Sequence, residues 1–263
     1  MIDINGGAAL QADLALAEVV VLPQPSVLGG AVPTSDLALA EIVDLLQPSV
    51  VGGAVPTSRA WQNSKRLFDF VLAVIALVVL SPLLLLIALA VRLDTPGPVL
   101  FRQQRYGRDR KRFVVFKFRS MYDGVSAEAH RRYIAKLATN EDRVGPGLKK
   151  LTDDPRVTRI GAFLRRTSLD ELPQFINVVR GDMSIIGPRP ALDYELAHYE
   201  PAHYVRFSVR PGLTGLWQIS GRNELGFLEM LTLDAEYART TAPGVDAMIL
   251  LRTPRALLRG KAA

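Results

Sequence analysis

Cysteine is absent from the 263-residue chain, and histidine occurs only three times. The first absence removes disulfide scaffolds, thiolate metal sites and cysteine nucleophiles together. Of the histidines, His198 and His203 lie five apart beside Glu195 and Glu200, but that pattern predicts solvated helix positions more readily than a metal site. No G-x-x-x-x-G-K-[ST], G-x-G-x-x-G or G-x-S-x-G occurs, so P-loop nucleotide hydrolysis, a dinucleotide fold and an α/β-hydrolase lose support. Nucleic-acid binding would want aromatics interleaved with bases on an exposed surface and no adjacent carboxylates; Phe113, Phe116 and Phe118 fit it only faintly.

What is present is apolar and basic, and unevenly spread. Apolar residues reach 49 % with 22 % charged, which excludes a wholly disordered chain, and the mean hydropathy of +0.16 points to a concentrated apolar segment. The net charge of +6 conceals a −5 segment over residues 1–60 and a +11 remainder. Such a basic body expects a polyanion, an anionic membrane surface or phosphorylated substrates.

Residues 13–35 and 36–58 are tandem 23-residue units, identical at all positions except 19/42, 21/44, 23/46 and 28/51. Two copies fall short of a stacked solenoid, and runs such as Gln47-Pro48-Ser49 resist compact folding, so residues 1–60 are expected to form a mobile tail. Residues 70–91 then carry no charge. As a helix these 22 residues extend about 33 Å, close to the hydrocarbon thickness of a bilayer. Pro82 lacks the N–H that would bond the Val78 carbonyl, so a break is predicted at Ser81-Pro82. A kinked span and a re-entrant hairpin both fit; the arginines and lysines after the segment place the C-terminal body on the cytoplasmic side in either case.

Residues 92–119 hold nine bases and two acids and include two β-prone runs, around Val99-Leu100-Phe101 and over residues 113–118. A solvated hairpin edge and a surface that meets lipid phosphates are both consistent with them. Further on, Ser168-Leu169-Asp170-Glu171-Leu172-Pro173 has capping-box spacing, but Pro173 would fall where a backbone donor is needed, so the helix is expected to start nearer Asp170. That leaves one carboxylate available for chemistry. Pro188-Arg189-Pro190 and Arg210-Pro211-Gly212 are rigid turns whose arginines suit two-pronged recognition of phosphate. Near the end, apolar residues alternate with Arg252, Arg255 and Arg259 as in an interfacial helix, expected as two short pieces because of Pro254.

In order along the chain come K-R-L-F-D-F, the apolar run with Ser81-Pro82, G-P-V-L-F-R-Q-Q-R-Y-G, F-K-F-R-S-M, D-P-R-V-T-R-I-G, L-R-R-T-S-L-D-E-L-P-Q, M-S-I-I-G-P-R-P and V-R-P-G-L-T-G-L-W-Q-I-S-G-R. Over residues 65–233 this series resembles the bacterial sugar transferases, the monotopic polyprenyl-phosphate phosphoglycosyl transferases. The resemblance implies a mixed α/β, mainly helical protein with a re-entrant helix broken at Ser81-Pro82 (residues 61–92), a small β-hairpin and interfacial helices, and a cytoplasmic catalytic domain over residues 93–263 at the bacterial inner membrane. It implies transfer of a sugar-1-phosphate from a UDP-sugar to polyprenyl phosphate with release of UMP, at the start of exopolysaccharide or other surface-glycan assembly.

By the same matching Asp170 is the nucleophile and Glu171 the assisting carboxylate, with magnesium contacted by Asp170. Arg165 contacts phosphate and Arg189 sits in the site; Lys117, Arg119 and Arg210 complete the expected phosphate-binding set. The partners implied are UDP-sugar, polyprenyl phosphate and membrane lipids, without nucleic acid, and homo-oligomerisation stays open. A hexose-1-phosphate is expected over an N-acetylated sugar. The repeat tail has no counterpart in the family, and residues 240–246 stand where relatives carry a Trp-rich run.

Overall fold

The computed structural model describes residues 59–124, 154–221 and 225–259, together with residues 128, 131 and 134. The duplicated segment and its expected mobility lie outside the described residues. The described part is mixed α/β and mostly helical, with two small two-stranded sheets.

Helices α1 (Arg59–Val79) and α2 (Ser81–Asp94) meet at Leu80 with a bend of 63°. The local chemistry accounts for the bend. Pro82 falls in the first turn of α2, where its missing N–H costs no helical bond, and the Val78 carbonyl receives the Ser81 hydroxyl instead (2.8 Å). Serine thus supplies the donor that proline withholds. No single helix among the described residues is long and apolar enough to cross a membrane; α1 and α2 reach that length and composition only as a bent pair.

One face of α1 is polar and turned to the body. Lys65 pairs with Asp246, Arg66 donates to the carbonyls of Val178 (2.5 Å) and Val179 (2.8 Å), and Asp69, 2 % exposed, accepts the Ile185 N–H (3.1 Å). The other face leaves Leu67, Phe68, Ile75, Val78 and Val79 exposed, continued in α2 by Leu85, Leu86 and Leu89. Ile87 and Val91 of α2 instead join Phe118 and Leu164 in a small core.

Strands β1 (Leu100–Tyr106) and β2 (Arg112–Phe118) form the expected antiparallel hairpin, paired from Leu100↔Phe118 to Tyr106↔Arg112. Asp109 and Arg110 in its turn take positive φ, 56° and 55°. Helix α3 (Arg159–Thr167) starts on a Thr158 side-chain cap to Gly161 N–H (2.9 Å). Glycine is required at 161 because a Cβ there would stand 2.0 Å from the Ser120 carbonyl oxygen, so α3 lies directly against the backbone that leaves β2. A 3-10 turn, Leu169–Glu171, and α4 (Gln174–Arg180) follow.

Strand β3 (Ser184–Ile186) pairs in parallel with β4 (Gly212–Thr214), and two 3-10 stretches, Asp193–His198 and Pro201–Ser208, lie between them in sequence. Helices α5 (Leu216–Ile219), α6 (Phe227–Thr240) and α7 (Pro243–Arg259) close the chain. The main core gathers Val178, Met183, Ile186, Leu216, Tyr237 and Ile249, with Val115 of β2 against it. The C-terminal helix differs from expectation: it runs through Pro254 as one element, because an exposed proline in a helix otherwise packed through Val245 and Ile249 removes one backbone bond without removing that packing.

His203 also departs from expectation. It is buried, and its Nδ1 accepts the Glu200 N–H (3.1 Å) at the start of a 3-10 stretch; burial lowers its pKa. Asp246, in the stretch that departs from the family pattern, accepts from both Lys65 and the Tyr237 hydroxyl (2.7 Å), tying α7 to α1 and α6.

Candidate active site

The adjacent carboxylates stand on a turn of their own. Helix α3 ends at Ser168 in the left-handed region (φ 60°, ψ 18°), and the turn is closed by Glu171 N–H to the Ser168 carbonyl and Leu172 N–H to the Leu169 carbonyl, both at 3.3 Å. Neither the expected helix start near Asp170 nor the capping box forms: Pro173 becomes the N-cap of α4, which begins at Gln174, and Ser168 makes no side-chain cap. The physical reason is the one that made Pro173 awkward, since its missing donor separates the 3-10 turn from the helix after it. A non-glycine residue in the left-handed region beside two carboxylates stores strain of the kind found at functional sites. Asp170 is 8 % exposed and Glu171 is more open.

Cations reach the turn from two elements. Lys117 of β2 donates to Glu171 Oε1 at 2.7 Å. The hairpin register puts Arg105 and Gln103 on the same face as Lys117, and Gln103 Oε1 accepts from Arg105 Nη2 (2.8 Å). Burial, then the neighbouring charge of Arg189, lowers the Arg105 pKa to about 10, while Glu195 and Glu171 act in the opposite sense. Arg189 is held above its usual value: burial opposes its charge, but Glu195 outweighs burial through the bond from Arg189 Nη1 to its Oε1 (2.8 Å), and Glu171 adds to the effect. Glu195, fully buried, uses its second oxygen to accept the Leu192 N–H (2.8 Å); burial works against its ionisation, but Arg189 and Arg105 prevail and hold it below the usual carboxylate range.

The structure therefore pairs Glu171, the neighbour of Asp170, with Lys117, and puts Arg189 and Arg105 within reach of the Glu171 charge. Arg165 lies half-buried in the last turn of α3, one turn before the carboxylates, where its charge also acts on Asp154. Arg119 is directed elsewhere: 4 % exposed, it donates to the carbonyls of Val91 (3.2 Å), Thr95 (2.6 Å) and Pro96 (2.9 Å), and so closes the C-terminal end of α2. Arg210 donates from Nε to the Gly181 carbonyl (3.0 Å), at the end of α4 away from the carboxylates by about 10 Å of helix.

Four contributors escaped sequence reading: Arg105, Glu195, Arg206 and Asp234. Arg105 lies inside one of the motifs, just beyond the β-prone run around Val99-Leu100-Phe101, and shares a face with Gln103 once the strand is extended to Tyr106. The Arg206–Asp234 pair, 1 % and 0 % exposed, spans two distant elements and left no local signal. Burial pushes Asp234 up to about 6 in spite of Arg206.

Among the described residues no group of three or more His, Cys, Asp or Glu side chains is placed to hold a metal ion. The donor set at hand is the Asp170–Glu171 pair, which fits magnesium, a hard cation commonly bound by one or two carboxylates together with substrate phosphate oxygens.

One buried and one accessible carboxylate, with fixed cations from β2 and the residue 188–190 turn, make a site for acid-assisted or nucleophilic chemistry on anionic substrates. The family described as bacterial sugar transferase matches residues 60–260. The chain belongs to the bacterial sugar transferase family. It is 40 % identical over 190 residues to exopolysaccharide production protein ExoY of Sinorhizobium fredii and 42 % identical over 193 residues to the protein of that name in Rhizobium meliloti, each match covering 72 % of this chain and 83 % of the relative. It is 45 % identical over 200 residues to the UDP-glucose:undecaprenyl-phosphate glucose-1-phosphate transferase of Escherichia coli, covering 72 % of this chain and 39 % of that protein.

Proposed function

We propose that this chain transfers a sugar-1-phosphate from a UDP-sugar to undecaprenyl phosphate, in the initiation of exopolysaccharide or related glycan assembly. The observation that carries the proposal is the Asp170–Glu171 turn, paired with Lys117 and within the electrostatic reach of Arg189, inside a family match over residues 60–260. In the first displacement an Asp170 carboxylate oxygen attacks the phosphorus that bears the sugar, the bond from that phosphorus to the bridging oxygen breaks, and UMP leaves with the electron pair. In the second, an oxygen of undecaprenyl phosphate attacks the same phosphorus and the Asp170 oxygen is released. Lys117 and Arg189 offset the repulsion between a carboxylate and a diphosphate, and Glu171, bonded to Lys117, fixes that lysine. Magnesium held by Asp170 and Glu171 would neutralise negative charge on the diphosphate.

Relatives named for glucose or galactose transfer support a hexose as the sugar. Purified protein given UDP-glucose or UDP-galactose without lipid acceptor is expected to release a burst of UMP, at most one per active site, with a mass increase of one phosphosugar. Active enzyme that releases no UMP until lipid is added would instead establish direct transfer in a ternary complex.

The exposed apolar face of α1 and α2 is read as a re-entrant membrane hairpin, with the body on the cytoplasmic face of the inner membrane. Because the chain has no cysteine, Gln62→Cys creates a single labelling site. Intact cells are expected to protect it from a membrane-impermeant thiol reagent, and disruption to expose it. Labelling in intact cells would replace the hairpin with a span.

A further inference from the structure

The turn Pro188-Arg189-Pro190 poses a bonding problem that its sequence cannot solve locally. It has three carbonyls and, because two of its residues are prolines, a single N–H. Every one of these groups is taken by a distant partner. The Pro188 carbonyl accepts the Gly212 N–H of β4 (2.8 Å), the Pro190 carbonyl accepts Arg105 Nη1 (2.8 Å), and the Arg189 carbonyl accepts Arg206 Nη2 (2.6 Å). The Arg189 N–H donates to Asp234 Oδ2 (3.1 Å). That same Asp234 oxygen pairs with the same Arg206 Nη2. Both ends of residue 189's backbone are therefore gripped by one buried ion pair, joining α6 to the 3-10 stretch Pro201–Ser208, while its side chain is left to Glu195 and the site.

We propose that Asp234 and Arg206 act as one unit that positions Arg189 toward the substrate diphosphate. Neither group needs to touch substrate. Burial is what suits the pair to this role. An ion pair at 0 % and 1 % exposure has no solvent to exchange with, so its geometry is set by its other hydrogen bonds, and those are to residue 189 and to the Tyr199 hydroxyl. A hydrophobic pair of similar volume would fill the space without defining where the residue 189 backbone sits. The inference rests on the reading of Arg189 as a substrate-contacting residue.

The test is a double-mutant cycle on full-length membrane-embedded protein, with UDP-glucose or UDP-galactose as the probe, whichever turns over. Asp234→Asn keeps an acceptor for the Arg189 N–H but removes the charge that orients Arg206. It is expected to lower kcat/KM by about 10–100-fold, the scale of an ångström-level misplacement in a site. In an Arg189→Ala background the same change is expected to cost less than about twofold, because sites that act through one another are not additive. Equilibrium binding of the same UDP-sugar, read in parallel on Asp170→Asn protein, carries the cycle if turnover of the double variant is too slow to follow. Should Asp234→Asn fail to fold, Arg206→Lys retains the charge but drops the second prong, and the same pattern of loss and silence is expected of it. Equal proportional losses with and without the Arg189 side chain, or no loss in the single variant, overturn the proposal. Full activity of Arg189→Ala alone would instead refute the role of Arg189 in the site, an outcome visible separately.

Discussion

Asp170→Asn is expected to abolish both the UMP burst and the phosphosugar adduct, and to reduce turnover by at least about a thousandfold, roughly 4 kcal/mol in barrier. The substitution keeps the shape of a side chain that is 8 % exposed on a short turn, so the fold and the bent helix pair should survive. What it removes is the anionic oxygen that, in the proposed mechanism, makes the new bond to phosphorus. Glu171→Gln makes the useful comparison. It loses the ion pair with Lys117 but retains an oxygen able to accept from it, so turnover is expected to fall while the adduct still forms. Mass spectrometry and single-turnover UMP release distinguish the two. A full burst in Asp170→Asn would remove Asp170 as nucleophile and leave it at most a ligand for magnesium.

The steepest loss of stability is expected at Asn177, which is fully buried in α4. Its side chain behaves as a missing strand for β2: Oδ1 accepts the Phe116 N–H (3.1 Å) and Nδ2 donates to the Val114 carbonyl (2.6 Å). Asn177→Leu fills the volume but leaves both backbone groups buried without these partners, at about 1–3 kcal/mol each. The denaturation midpoint of the purified protein is expected to fall accordingly. Because β2 carries Lys117 one residue beyond Phe116, turnover should fall more steeply than the folded fraction does. A midpoint unchanged from wild type would mean that solvent or a rearranged β2 satisfies those groups.

The local features of this protein were legible because local physics produces them. Ser81-Pro82 announced a break since proline lacks a donor, and the structure bends by 63° at the preceding residue. Two β-prone runs announced the hairpin, and the motif series announced the family. Where single cations go was not legible, for an equally physical reason. A cation in a basic stretch has the same sequence appearance whether it pairs with a carboxylate or caps a helix: Lys117 meets Glu171, whereas Arg119, two residues later, is taken up by the end of α2. Arg210 likewise serves the end of α4.

How the arginine turn is held belongs to the other category. The residues that bond Pro188-Arg189-Pro190 come from β1, a 3-10 stretch, β4 and α6, from 17 to 85 positions away along the chain, and none forms a motif with the turn at helical or strand spacing. That a turn with two prolines cannot satisfy its own carbonyls follows from its residues alone. Which donors arrive to satisfy them is settled by the packing of β1, β4 and the 3-10 stretch Pro201–Ser208 around the turn, because a hydrogen bond is chosen by distance in space and leaves no period along the chain.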